Sequence, residues 1–242
     1  MKRTVLITGS SRGIGFGIAK EFAACGDKVV LNGRTDQVQL DKAVAELRTQ
    51  NPEVTGILAD MSDYSQAKEV FKKTKARFGP VDVLVNNAGM PHYGLFTDMS
   101  PPEWDEIIHH NFNHVLNSTH LAAPDMLQAK NGVIINISSI WGIEGASCEA
   151  VYAAAKGAVH AFTKSMAKEL GPSGIRVNAI ACGAIETRMN NNLSQEEKET
   201  FTDKIPLMKF GTTKDAGKLA KFLASNEASY LTGQIIRLDG GL

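Results

Sequence analysis

A chain of 242 residues with 43% hydrophobic content has the size of one large domain. Lysine plus arginine equals aspartate plus glutamate at 26 each, and the zero net charge argues against nucleic acid or an anionic membrane as the main partner. The three cysteines, Cys25, Cys148 and Cys182, have no CxxC spacing and read as free thiols of a reducing compartment, which excludes a disulfide framework and a metal site.

The N-terminus, "MKRTVLITGSSRG", enters a strand at once, without the apolar core of a signal peptide, and no later run approaches 18 apolar residues. A cytoplasmic protein is expected. "RTVLIT" (3–8) predicts the first strand, followed by a helix over 13–25. "KVVLN" (28–32) is the second strand, with a helix over 36–50, and "VTGILA" (54–59) the third, with a helix over 63–78. "VDVLVNN" (81–87) is the fourth, and one long helical region over 102–129 follows it. "GVIINIS" (132–138), a helix over 151–170, "IRVNAIA" (175–181), a helix over 214–225 and "GQIIRLD" (233–239) complete the chain.

The strands are nearly continuous apolar runs, as expected of strands covered on both faces. Strict β-α alternation predicts a parallel, doubly wound sheet in a single domain over residues 1–242. One segment, 188–212, leaves the alternation and reads as a lid or a surface helix.

"TGSSRGIG" (8–15) lies between the first strand and the first helix. Gly9, Gly13 and Gly15 permit a tight turn and close approach of a pyrophosphate to the helix N-terminus. An NAD reader carries a carboxylate at the end of the second strand, about 20 residues on. Here "VVLNGRT" supplies Gly33 and Arg34 instead. An arginine pairs with a 2′-phosphate, and Arg12 offers a second cation, so NADP is the expected cofactor and NAD the second choice.

"VYAAAKGAVHAF" (151–162) places Tyr152 and Lys156 one helical turn apart among small residues. Alone, the pair is equally compatible with two surface groups on an alanine-rich helix. As a site, an ammonium beside a phenol lowers the phenol's pKa toward neutrality and suits acid–base work.

Taken in order and spacing, "TGSSRGIG", "NNAG" (86–89), Asn111, Ser139 in "NISSIWG", "YAAAK" (152–156) and "LTGQIIRLDGG" (231–241) resemble the short-chain dehydrogenase/reductase family over essentially the whole chain. The resemblance implies a Rossmann-type, seven-stranded sheet and hydride transfer between NADP(H) and a carbonyl or secondary alcohol. Tyr152 would be the proton donor, Lys156 its modulator and the holder of the nicotinamide ribose, and Ser139 the hydrogen-bond partner of the substrate oxygen. Ser138 is the neighbouring alternative, and since side chains alternate along a strand only one of the two can face the site. Asn111 would position a water relaying protons from Lys156, or simply bond helix backbone. Gly9, Ser11, Arg12, Gly13, Ile14 and Gly15 would hold the pyrophosphate region, and Asp60 and Met61 the adenine. Asn87, Ala88 and Gly89 would pass the adenosine ribose, and Ile185 and Thr187 would meet the carboxamide.

The family's usual Pro-Gly is Cys182-Gly183 here, which implies a looser loop and raises the question of an oxidation-sensitive thiol. The 3-oxoacyl-acyl-carrier-protein reductases are the nearest subgroup in pattern, which implies an acyl-carrier-protein or coenzyme A thioester as substrate. Lys130 stands where that subgroup often has a basic residue, but Ser173 replaces the second. Trp141 would restrict the substrate space, and Glu144 and Glu149 would meet a polar substrate or solvent. The other readings are an NAD(P)-dependent dehydrogenase of a sugar, steroid or polyol, and a dinucleotide-binding sensor without turnover. A homotetramer, as a dimer of dimers, is implied by the resemblance alone.

Overall fold

Residues 2–187 and 195–242 are described by the computed structural model. Seven strands form one sheet: Thr4–Ile7 (β1), Lys28–Gly33 (β2), Val54–Leu58 (β3), Val83–Asn86 (β4), Gly132–Ser139 (β5), Ile175–Cys182 (β6) and Ile235–Leu238 (β7). Their order is β3-β2-β1-β4-β5-β6-β7, and all neighbours are parallel. The helices are Gly13–Ala24 (α1), Gln37–Arg48 (α2), Tyr64–Phe78 (α3), Pro101–Ile108 (α4), His114–Ala129 (α5), Trp141–Glu144 (α6), Ala150–Leu170 (α7), Gln195–Thr202 (α8) and Thr213–Leu223 (α9).

Alternation along each strand builds two cores. Val5, Ile7, Val29, Leu31, Val83 and Val85 meet Ile18 and Phe22 of α1, Leu40 of α2 and Leu223 of α9. Leu6, Val30, Leu84 and Ile134 point the other way, onto Val70 of α3, Met126 of α5 and Leu170 of α7. Because both faces are covered, the strands carry no polar alternation. The chain reverses its winding between β1 and β4, and a crevice opens at the carboxyl ends of those strands.

Three expectations are adjusted. The strand predicted over 81–87 is shorter, because the Asn87 N–H leaves the ladder to donate to Thr8 Oγ1 at 2.9 Å. The single helix predicted over 102–129 is two, separated by a π-helical turn at His109–Asn113. In the 188–212 excursion, residues 188–194 lie outside the described ones. Ile205 is buried, while Leu207 and Met208 are exposed. The Leu207 N–H donates to the Gly240 carbonyl at 3.1 Å, so the end of the excursion is anchored to the C-terminal turn. Among the described residues, no helix is long and apolar enough to cross a membrane.

Asn32 organises the crevice. Its buried amide donates to the carbonyls of Gly33, Ile57 and Ala59 at 3.2, 3.1 and 3.0 Å, and its Oδ1 accepts the Gly9 N–H at 3.2 Å. One side chain thus fixes the ends of β2 and β3 against the turn after β1. Replacing Asn32 with leucine leaves these groups without their partner inside the protein, and urea unfolding should show a loss of about 2–4 kcal/mol with an unchanged m-value.

Candidate active site

The turn after β1 is held from two sides. Thr8 Oγ1 accepts the N–H groups of Asn87 and Ala88 at 2.9 and 3.0 Å, and Asn87 Nδ2 donates to the Thr8 and Gly9 carbonyls at 3.0 and 2.8 Å. Gly9 has φ +61°, and a Cβ there would lie 2.7 Å from Ala88 Cα. Only glycine permits that approach. Arg12 caps α1 with extended backbone and no side-chain cap, so the first N–H groups of the helix, at Gly13, Ile14 and Gly15, are left for an anion. Thr187 lies across from Gly13, its Cγ2 3.9 Å from where a Cβ would stand. These residues fit a pyrophosphate.

Asp60 Oδ1 accepts both the N–H and the hydroxyl of Ser62. Burial raises the Asp60 carboxyl, but the Ser62 bonds, His110 and Arg34 outweigh it and hold it below the usual carboxylate range. The Met61 side chain is buried in the α3–α5 core, so only its backbone is available at the crevice. Arg34 is exposed, with Nη1 2.9 Å from His110 Nε2. Arg12 is exposed, and its side chain makes no hydrogen bond or ion pair among the described residues.

Tyr152 and Lys156 share one face of α7, with Lys156 Nζ 5.6 Å from the centroid of the phenol ring. Of the two serines at the end of β5, Ser139 lies beside the Tyr152 phenol and accepts the Trp141 N–H at 3.2 Å. Ser138 turns to the helix and donates to the Lys156 carbonyl at 3.3 Å. Lys156 is 5% exposed, and its ammonium reaches the Ile137 carbonyl at 3.4 Å. Burial pulls its pKa down to about 8. Burial, with Glu149 nearby, pushes the Tyr152 phenol upward against the Ser139 hydrogen bond. The expected lowering of the phenol by Lys156 is therefore not what governs this structure: the ammonium sits over the ring rather than at its oxygen, and desolvation dominates both groups.

Asn111 lies in the π-helical turn. Its Nδ2 donates to the Ile107 and Met90 carbonyls at 2.9 and 3.0 Å, and its Oδ1 accepts the Met90 N–H at 3.2 Å. The amide bonds helix backbone and also pins the loop after Gly89, leaving one Oδ1 lone pair for a water. A Cβ at Gly89 would stand 2.8 Å from Asn111 Oδ1 and 3.4 Å from Lys156 Nζ, so this glycine lets the two groups converge.

Ile185 is buried and bridged to Gly211, and the Gly211 N–H donates to the Ala184 carbonyl at 2.9 Å. Burial pushes the Cys182 thiol up to about 12 against the pull of Lys156, so it stays protonated and unreactive. Trp141 borders a groove of about 430 Å³ with small residues of α7, and its indole lies close enough to Glu149 to oppose the rise that burial gives that carboxyl. Glu144 is not directed to substrate; it pairs with Arg237 at 2.6 Å. Sequence reasoning missed Thr8, Asn32, Ser62 and His110. Asn32 and Ser62 carry no motif, whereas Thr8 stood in the glycine motif and His110 beside Asn111.

A family model described as Enoyl-(Acyl carrier protein) reductase matches residues 9–242. The chain is 40% identical over 243 residues to the "Uncharacterized oxidoreductase YmfI" of Bacillus subtilis, covering 100% of this chain and 99% of that one. It is 40% identical over 242 residues to the 3-oxoacyl-[acyl-carrier-protein] reductase FabG of Staphylococcus aureus, covering 100% and 98%. The crystal structure of a 3-oxoacyl-[acyl-carrier protein] reductase from Brucella melitensis matches with a TM-score of 0.93 at 33% identity, covering 99% of this chain and 91% of that one. That of a candidate gluconate dehydrogenase from Agrobacterium tumefaciens matches with a TM-score of 0.95 at 32% identity, covering 99% and 95%. The chain, matched from end to end in both sequence and fold, is an oxidoreductase and belongs to the short-chain dehydrogenase/reductase family.

Proposed function

We propose that this protein reduces a ketone with NADPH, with 3-oxoacyl thioesters as the substrate class. The observation that carries the reading is the convergence of Ser139, Tyr152 and Lys156 at the carboxyl end of β5, beside a turn shaped for a dinucleotide. The bound dinucleotide supplies the hydride. Gly9, Ser11, Arg12, Gly13, Ile14 and Gly15 hold its pyrophosphate, Asp60 and the Met61 backbone its adenine, and Asn87, Ala88 and Gly89 its adenosine ribose. Arg34 and Arg12 receive the 2′-phosphate, Ile185 and Thr187 the carboxamide, and Tyr152 and Lys156 the nicotinamide ribose.

Tyr152 keeps its proton at neutral pH, because burial and Glu149 both disfavour phenolate. As the substrate carbon is reduced, the Tyr152 O–H bond breaks and the proton passes to the substrate oxygen, giving the alcohol. Ser139 donates a hydrogen bond to the same oxygen and fixes its position. Lys156, with a pKa near 8, returns a proton toward the phenolate, and Asn111 holds the water that resupplies it.

FabG of Staphylococcus aureus and the Brucella structure support the thioester class by name. Lys130 and the loop of Ser173 form one surface, since a Cβ at Gly174 would lie 2.7 Å from the Lys130 carbonyl oxygen. With Ser173 in place of a second basic residue, the carrier is an acyl-carrier protein held weakly or coenzyme A. The missing second cation also supports a second reading, oxidation of a sugar, steroid or polyol by the same residues. A sensor without turnover is disfavoured, because Asn111, Ser139, Tyr152 and Lys156 are all present and a protein that only binds the dinucleotide has no need of all four. We place the protein in the cytoplasm as a homotetramer, supported by its free thiols and by the open small-residue groove along α7.

NADPH consumption with acetoacetyl thioesters, diketones, sugar lactones and ketosteroids tests the class, and turnover of the sugars or steroids without the thioester would favour the second reading. Tyr152→Phe should lower kcat by about 10²–10⁴ while NADPH binding stays within about twofold. Arg34→Asp should move the preference from NADPH toward NADH, read as the ratio of the two kcat/KM values. Lys156 has a folded pKa near 8 against an ordinary 10.5, so the unfolded chain holds the proton more tightly and stability rises with pH between those values. Lys156→Met should therefore stabilise the fold by about 2 kcal/mol at pH 7, and thermal unfolding should show that gain shrinking as the pH approaches 10.5.

A further inference from the structure

We infer that His110 is a positioning residue of the 2′-phosphate subsite, tying the Arg34 guanidinium to the Asp60–Ser62 turn and holding that cation where an adenosine 2′-phosphate arrives. The inference rests on the NADP reading above and assigns a residue that the glycine motif and the strand ends do not include.

Four side chains form one chain of hydrogen bonds across the carboxyl ends of β2 and β3. Arg34 Nη1 lies 2.9 Å from His110 Nε2, His110 Nδ1 lies 3.2 Å from Ser62 Oγ, and Ser62 Oγ bonds Asp60 Oδ1. Its direction follows from chemistry. A guanidinium only donates, so His110 Nε2 must accept. The imidazole is then neutral with its proton on Nδ1, which donates to the Ser62 hydroxyl, and that hydroxyl donates to the Asp60 carboxylate. Burial and the Arg34 charge hold His110 below its ordinary value, against the opposing pull of Asp60 and of Glu106 at 4.0 Å, so it is neutral near neutral pH.

The arrangement matters because Arg34 is exposed and on a flexible stem. Left to solvent, its side chain would have to be ordered each time a phosphate bound. His110 uses a single N–H of the guanidinium and leaves the rest of its donors for the phosphate. It is itself fixed, with a mostly buried ring and a backbone in the π-helical turn that also places Asn111. The same tether reaches the Asp60 turn, so the adenine and 2′-phosphate contacts are set against one another rather than independently.

Calorimetric titration with adenosine 2′,5′-bisphosphate and with AMP isolates the 2′-phosphate from the rest of the cofactor. Wild type should bind the bisphosphate more tightly than AMP. His110→Ala should weaken the bisphosphate about fivefold and leave AMP within about twofold. His110→Gln, whose amide can accept at one end and donate at the other, should recover most of the loss. A His110→Ala protein that keeps the full preference while Arg34→Ala loses it overturns the inference and leaves the NADP reading intact. Equal weakening of both nucleotides by His110→Ala also overturns it, since the role would then be merely structural. Absence of any preference in wild type overturns the NADP reading and this inference with it.

Discussion

The candidate active centre depends on an ammonium kept almost out of water. Among the described residues Lys156 has no carboxylate partner, only the Ile137 carbonyl and the face of the Tyr152 ring. A charge in that position is unfavourable unless the surroundings hold it there. The neighbouring structure does so through close backbone approach. Gly142 abuts the Lys156–Gly157 backbone, where a Cβ would lie 2.7 Å from the Lys156 carbonyl carbon. Ser138 bonds that carbonyl's oxygen, and Gly89 leaves the opposite side open. The glycines at 89, 142 and 157 are thus what allows a cation, a phenol and a serine to share one volume.

At the other end of the crevice the constraint is of a different kind. The polar side chains of Thr8, Asn32 and Asn87 do the work of strands that have ended. They take up the backbone groups released where β1, β2 and β4 stop, and keep a left-handed glycine turn in a single conformation. The turn can then present unpaired N–H groups without collapsing onto a neighbouring strand.

Much of this was legible in the sequence because the governing physics is local. Apolar runs marked all seven strands, and the one-turn spacing of Tyr152 and Lys156 put both on one face of α7. The alternation rule required that only one of Ser138 and Ser139 face the crevice, and in the structure Ser138 bonds the Lys156 carbonyl while Ser139 lies beside the Tyr152 phenol. What stayed hidden depends on tertiary placement. Asn32 looks like any polar residue in a strand until β3 and the glycine turn are packed around it. The shift on Tyr152 follows burial, which a motif does not report. The π-helical turn leaves no trace in apolar periodicity, because His109 to Asn113 are polar or aromatic throughout.

That turn has a consequence for how the chain can change. A helix that takes an extra residue into one turn rotates everything after it by about 100° relative to an uninterrupted α-helix. The facing of α5 is set by this offset: Asn117 bonds the Met61 and Ser62 carbonyls, Met126 enters the core, and Asn111 reaches Met90. Deleting one residue between Ile108 and His114 would swing the polar edge of α5 into the apolar layer and its apolar edge into solvent. Length variation is therefore barred from the middle of this helical region, and insertions or deletions between relatives belong in the loops at its two ends.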